Sequence, residues 1–193
     1  MIKLGECQKV LSAVEESDSY FLKQHFYIEG FLKRLLFIGL RLNDVQYNMA
    51  EEVIIAYHEP LEKMIERAWT ISGFDYKNDV VKFGAYKDLE GFFVNYTAKY
   101  RNYRVHGIYD EIEDPDLLRL LTTINYRYYK ICNEYISHKG KPSVFDKPIK
   151  WGAKIGKEET ILEVYSRIFK GVKKKDQKYS RNDIEKWLSI NQS

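Results

Sequence analysis

Three polar residues near the middle of the chain have the types and spacing for chemistry on a phosphate group. They are Arg101, Asn102 and His106, within the segment YRNYRVHGIY. A guanidinium offers donors that match phosphate oxygens, and an imidazole can take up or release a proton near neutral pH. Asn102 and His106 are four residues apart, so on a helix the amide can hold one imidazole tautomer. The segment predicts phosphate binding and proton transfer, the alternative being that His106 is a plain surface residue.

Other well-known catalytic and metal-binding patterns are absent from the sequence. None of the four histidines lies three residues after a glutamate, which excludes the Glu-x-x-His pairs of di-iron bundles, and no His-Glu-x-x-His pair is present. There is no glycine-rich phosphate loop and no Gly-x-Ser-x-Gly nucleophile. Cys7 and Cys132, the only cysteines, fit neither a zinc module nor a thioredoxin-type motif. We therefore expect no metal and no other cofactor.

The elements that position these residues are predicted to be helices. Strand alternation and Asn-Gly or Asp-Gly turns are absent, whereas apolar residues recur at three- and four-residue spacing. Asp114 before Pro115 is typical of a helix start, and Pro60 predicts a kink or two abutting helices. Helices are expected at residues 7–16, 20–42, 48–71, 86–106 and 114–137. The sequence therefore predicts an all-α fold, an up-and-down bundle of four to five helices.

The helix predicted at 86–106 carries all three polar residues. At about 100° per residue, five of its apolar or aromatic residues fall within about 40° of one line and are predicted to face the core. These residues are Leu89, Phe93, Tyr96, Tyr100 and Tyr103. Arg101, Asn102 and His106 lie outside this stripe and are expected to project away from the core. Arg101 is on a different side of the helix from the other two, so a bound phosphate or a second copy of the chain must connect them.

The C-terminal quarter of the chain is basic. Residues 137–193 contain 14 Lys and Arg against 7 Asp and Glu, a net charge of +7, whereas residues 1–136 carry −4. We predict a helical bundle over residues 1–138 and a basic extension over residues 139–193 with one or two short helices. Candidate RNA contacts are Lys173, Lys174 and Lys175 in the extension, and Arg104 in the bundle. For the lysine run, a solvated charged surface is the alternative.

The sequence also predicts the compartment. Glutamates interrupt the N-terminal segment where a signal peptide needs an apolar run, and three basic residues interrupt the most apolar stretch, residues 31–42. We expect no membrane association. Two widely separated cysteines fit a reducing cytoplasm.

The motif R-N-x-x-x-H-G at Arg101–Gly107, near the end of a bundle helix, resembles the R-x(4–6)-H signature of the HEPN superfamily. The segment FYIEGFLKRLLFIGL at residues 26–40 also resembles an early long helix of such domains, and the resemblance covers roughly residues 20–137. It implies a homodimer whose two motifs line one cleft. It further implies metal-independent ribonuclease activity, as in toxin–antitoxin and phage-defence systems, with Arg101 and His106 catalytic and Asn102 supporting.

The resemblance carries expectations about product and regulation. Cleavage by 2′-OH attack would leave a 2′,3′-cyclic phosphate, and an antitoxin, of the nucleotidyltransferase type or another, would be a partner. Some HEPN toxins have a modified tyrosine two residues after the histidine, whereas this chain has Ile108 there and Tyr109 next. A non-catalytic HEPN-like module that binds RNA or a protein is the rival hypothesis, and a bare helical adaptor is a third.

Overall fold

The chain is helical over the parts that its structure describes. The computed structural model describes residues 4–141, 156–169 and 181–190, and these ranges contain no strand. The α-helices are α1 (Leu4–Leu11), α2 (Asp18–Leu42), α3 (Tyr47–Ile55), α4 (Leu61–Ile71), α5 (Tyr86–Phe92), α6 (Ala98–Val105), α7 (Pro115–His138), α8 (Ile161–Ile168) and α9 (Arg181–Ile190). The predicted all-α helical bundle is confirmed. Within the described residues, no helix has both the length and the apolar character to span a membrane.

Local sequence features set several of these helix ends. The Asp114 carboxylate accepts the backbone N–H groups of Asp116 at 3.0 Å and Leu117 at 3.1 Å, so it caps α7 as the Asp-Pro pair predicts. The segment predicted as one helix over 48–71 is two helices, because Pro60 directly precedes α4 and cannot continue α3. In α8, Thr160 and Glu163 form a reciprocal capping box.

The helices form two compact units, and each unit draws on separate stretches of the chain. The first contains the described residues of 1–28, 83–140 and 175–193, and the second contains those of 29–82 and 141–174. This division differs from the predicted boundary at residue 138. The motif helix, α7 and α9 all belong to the first unit, so part of the predicted extension is built into the unit that carries the motif.

The core of the first unit is aromatic. The Phe93 ring stacks on the Tyr128 ring with centroids 4.6 Å apart, and the Tyr86 and Tyr128 hydroxyls are 3.2 Å apart. On α9, the Trp187 indole donates to Asp88 at 3.1 Å, and its ring meets Phe92 edge-on at 5.4 Å. These contacts join α5, α7 and α9 around the helix that carries Arg101.

The second unit holds its helices together by close backbone approach and ion pairs. A Cβ on Gly39 would lie 2.7 Å from the backbone carbon of Ile71, so only glycine allows α2 and α4 this close. Arg67 on α4 binds the Glu59 carboxylate and donates to the backbone oxygen of Phe169 after α8.

Candidate functional site

The helix that carries the motif contains one wide turn. α5 passes into α6 through a π-helical turn at Phe93–Thr97, where the backbone N–H of Ala98 donates to the carbonyl of Phe93, five residues earlier. The Thr97 hydroxyl donates to the same carbonyl at 2.7 Å. A π turn holds about one residue more than an α turn, so residues after it are turned back by about 100° compared with an unbroken α-helix.

Arg101 points inward because of this turn. Allowing for the extra residue, it falls about 20° from the line through Leu89, on the core side of the helix. The side chain is half-buried, its Nε is buried, and its guanidinium lies 5.7 Å from the centre of the Phe26 ring on α2. Burial lowers the pKa of Arg101. The expectation that Arg101 projects away from the core is therefore wrong.

Two buried polar residues, of which His25 feels the charge of Arg101, were missed by the sequence reasoning. His25 on α2 and Asn125 on α7 are fully buried, and the His25 ring stacks on Phe93 at 4.7 Å. Burial, with a smaller effect of the Arg101 charge, lowers the pKa of His25 to about 3, while a hydrogen bond with Asn125 acts in the opposite direction. His25 is thus neutral at pH 7. Its position four residues after Phe21 and three before Ile28 placed it on an apolar stripe, which was the available sequence signal.

Asn102 supports Arg101 and not His106. Its amide oxygen accepts a hydrogen bond from Nη1 of Arg101 at 2.7 Å, and the side chain is exposed. The Asn102 amide thus bonds the Arg101 guanidinium, in place of the predicted contact with the His106 imidazole. The connection to His106 is made by the backbone instead, since the N–H of His106 donates to the Asn102 carbonyl at 2.9 Å.

His106 is exposed at the C-terminal end of α6. Gly107 follows it with φ +66°, the N–H of Ile108 donates to the Tyr103 carbonyl at 2.8 Å, and the N–H of Gly107 donates to the Arg104 carbonyl at 3.3 Å. These two bonds define a Schellman motif, which requires a left-handed residue that glycine adopts without strain. The predicted cap at Gly107 is confirmed, and it fixes the backbone that presents His106 to solvent.

Arg101 and His106 of one chain face different directions. Both lie beyond the wide turn and are five residues apart, which separates them by about 140° around the helix axis. Arg101 is half-buried against Phe26, and His106 is exposed. The two side chains therefore need a bridging substrate or a second chain to act at one phosphate.

Arg104 has a structural role that the sequence did not reveal. Its Nε and Nη2 donate to the carboxylate of Asp18 at 2.7 to 2.9 Å, and its Nη1 donates to the Tyr109 carbonyl at 2.8 Å. Asp18 is buried and also accepts the N–H of Ile112 at 3.4 Å. These partners use three of the five N–H groups of the guanidinium, and its interpretation as an RNA contact stays a prediction. The candidates Lys173, Lys174 and Lys175 lie outside the described residues.

The surface around His106 is partly apolar and aromatic. Val105 is 52% exposed, Ile108 62% and Tyr109 43%. Tyr100 and Tyr103, which were predicted to face the core, are half-exposed, since the wide turn that brings Arg101 inward takes them outward. Among the described residues, no group of three or more His, Cys, Asp or Glu side chains is placed to hold a metal ion.

No protein-family model, curated protein or solved structure matches the chain. A function must therefore be inferred from the geometry of Arg101, Asn102 and His106.

Proposed function

We propose that this protein is a metal-independent endoribonuclease of the HEPN type that acts as a homodimer. The observation that carries the proposal is the arrangement at the end of α6, where Asn102 and Phe26 hold the Arg101 guanidinium and the helix cap presents His106 to solvent. One fixed cation and one exposed acid–base group are the minimum that this cleavage requires. A toxin or phage-defence effector, controlled by an antitoxin, is the biological setting that fits such an activity.

In this proposal, His106 transfers a proton and Arg101 stabilises negative charge. His106 removes the proton from a ribose 2′-OH, and the resulting oxygen attacks the adjacent phosphorus. Arg101 stabilises the negative charge that grows on the phosphate oxygens, with its planar donors oriented by Asn102. The bond from phosphorus to the 5′ oxygen breaks as that oxygen takes up a proton, and the product is a 2′,3′-cyclic phosphate.

The angular separation of the two side chains supports the dimer. In an isologous dimer, the same surface of each chain meets its counterpart, so Arg101 of one chain can approach the His106 of the other. The apolar side chains of Val105 and Ile108 beside the motif are exposed in the single chain, and burial between two copies would stabilise the pair. A second histidine in the cleft can also supply the proton for the 5′ oxygen.

One observation favours a second function. Arg101 is half-buried and already bonded to Asn102, which is also what a structural or phosphate-binding arginine would show. In that case the protein is a non-catalytic module that binds RNA or a partner protein. The measurement that separates the two functions is cleavage itself.

The test is to incubate the pure protein with mixed cellular RNA in EDTA and to analyse the product ends. We expect cleavage with 2′,3′-cyclic phosphate termini. His106→Ala should lower the rate by about 10²–10⁴, as for the loss of a general acid–base group, and Arg101→Ala by about 10²–10³. Arg101→Lys should recover only part of the rate, because an ammonium lacks the two-pronged contact.

Matched variants make the test specific. His58→Ala removes an exposed histidine from the second unit and should cleave like the wild type. Arg101→Ala removes a half-buried side chain, so circular dichroism is recorded for every variant. If Arg101→Ala is unfolded, the result for His106→Ala, which changes an exposed residue, decides the test. Cleavage only after addition of a divalent metal, or full activity of folded His106→Ala, would overturn the proposal in favour of the binding module.

A further inference from the structure

A cavity of about 380 Å³ opens beside α4 in the second unit. Its apolar wall comes from the end of α4, from the loop that follows and from the end of α8. The wall consists of the buried Ile71, Tyr76 and Phe169 and the partly exposed Phe74 and Ile168. Since a water molecule occupies about 30 Å³ in the liquid, the cavity has room for roughly a dozen non-hydrogen atoms. Its volume is within the range of small-molecule sites.

One face of α4 brings charges of both signs to this cavity. Glu66 and Arg67 lie three and four residues after Lys63, so the three side chains share one side of the helix. Asp75 and Lys77 in the following loop add one more charge of each sign. The walls therefore complement a ligand that carries both charges better than a plain cation or a plain anion.

Two of these charged groups already have partners within the protein. The Arg67 guanidinium donates to Glu59 at 2.7 Å and to the Phe169 carbonyl at 2.5 Å, and it lies 4.7 Å from the centre of the Phe169 ring. Both carboxylate oxygens of Asp75 accept hydrogen bonds from Asn78 at 3.0 Å. These bonds fix Arg67 as a wall and Asp75 as part of a turn, which leaves the other three charged groups to contact a ligand.

Glu66 is the buried charge of the cavity. It is 9% exposed, and its carboxylate lies 3.9 Å from the exposed Lys77 ammonium, which is too far for a hydrogen bond. Within the described part of the chain, no hydrogen bond reaches this carboxylate. Lys63, one turn earlier, is partly buried and forms no ion pair with any described residue. A buried carboxylate without a donor is costly, so the ammonium group of a ligand would stabilise it.

We propose that this cavity binds a free α-amino acid with an apolar side chain. The ligand ammonium donates to Glu66, the ligand carboxylate contacts Lys63, and the ligand side chain packs on Phe74 and Tyr76. Lys63 and Glu66 are neighbours on the helix surface, so both can reach a group whose two charges are bonded to one carbon. The site lies in the second unit, and the proposal does not rest on the ribonuclease function.

The test is an NMR titration of the full chain at pH 7 with L-phenylalanine, whose size matches the cavity. We expect a Kd in the millimolar range or tighter, as is usual for a ligand of this size. Phenylpropionate lacks the ammonium group and should not bind, because Glu66 would then face no donor. Phenylethylamine lacks the carboxylate and should bind more weakly than phenylalanine.

Variants of α4 test each contact. Glu66→Gln keeps the shape of the side chain and should weaken phenylalanine binding about tenfold or more, since it loses a charged hydrogen bond. Lys63→Met should weaken it roughly two- to fivefold, as for a partly exposed ion pair. Thr70→Trp places a large ring at the exposed rim of the cavity and should abolish binding. The matched controls Glu51→Gln and Lys33→Met change charges of the second unit outside this cavity and should bind like the wild type.

Circular dichroism confirms the fold of each variant, and Thr70→Trp, at an exposed position, decides the test if Glu66→Gln is unfolded. Wild-type affinity in folded Glu66→Gln or Thr70→Trp would overturn the proposal. Phenylpropionate binding as tightly as phenylalanine would show an anion site instead, and equal binding of phenylethylamine would show an amine site that does not recognise the carboxylate. Failure of L-phenylalanine, L-leucine and L-methionine to bind at all would overturn the proposal as well, whatever the result of the cleavage assay.

Discussion

Arg101 is half-buried and the nearby His25 is fully buried, and burial affects the charge of the two side chains differently. A guanidinium keeps its charge when it is half-buried, because its ordinary pKa is far above neutral and its charge is delocalised. The imidazole of His25, which is fully buried beside that charge, becomes neutral instead. The neutral ring supports the region around Arg101 by stacking on Phe93 without adding a second positive charge.

This pairing predicts a pH-dependent stability. The pKa of His25 is about 3 in the folded chain, below the ordinary histidine value near 6.5, so between these two values the unfolded chain binds more protons. The free energy of unfolding should therefore fall as the pH falls through this window, with His25 contributing at most about 1.4 kcal/mol per pH unit. In His25→Phe, which keeps a ring against Phe93, this contribution should be absent.

Urea unfolding of wild type, His25→Phe and His58→Phe at pH 7, 6 and 5 checks this prediction. His58 is exposed, so its variant should keep the wild-type pH dependence. A His25→Phe protein whose stability changes with pH as steeply as the wild type would show that His25 does not titrate between the folded and unfolded states.

At the scale of helices, the motif lies between two irregular backbone features. The wide turn at Phe93–Thr97 sets the rotation of α6, and the cap at Gly107 ends it. Together they determine that Arg101 is inward and that His106 is exposed at the helix end. The geometry of the candidate site is thus a property of the backbone on both sides of α6 as much as of the side chains.

Two glycines provide a matched test of the cap. Gly107 has φ +66° and open space where a Cβ would be, so Gly107→Ala should cost about 1 kcal/mol of stability through backbone strain alone. Gly30 lies inside α2, also with open space around a Cβ, and Gly30→Ala should stabilise the protein by roughly 0.5–1 kcal/mol. Thermal unfolding of both variants should show shifts of opposite sign, and a neutral Gly107→Ala would mean that the cap is not strained.

The sequence predicted the features of the fold that are determined by residues close together in the chain. Apolar spacing located the helices, the Asp114-Pro115 pair located the start of α7, and Gly107 located the end of α6. A fixed rotation of about 100° per residue could not reveal the wide turn, so it placed Arg101 outside and Tyr103 inside. Nor could local patterns show that Arg104 pairs with Asp18, which is 86 residues away in sequence.

At the scale of the whole molecule, the first unit is assembled from both ends of the chain. α9 comes from the basic C-terminal quarter, and its Trp187 packs on α5 and bonds Asp88. This part of the predicted extension thus packs on the helix that leads into the motif.

The proposed dimer makes a further prediction, which is that two inactive variants restore each other. If each site combines Arg101 of one chain with His106 of the other, a mixed dimer of Arg101→Ala and His106→Ala chains contains one complete site and one that lacks both residues. Random pairing gives mixed dimers in about half of the population, so about a quarter of all sites are complete. Co-expression of the two variants should therefore recover about a quarter of wild-type cleavage in EDTA, although each variant alone is inactive. Each chain of a mixed dimer lacks one of the two residues, so a site built within one chain would recover nothing, and a co-expressed sample as inactive as its parents would contradict the shared site.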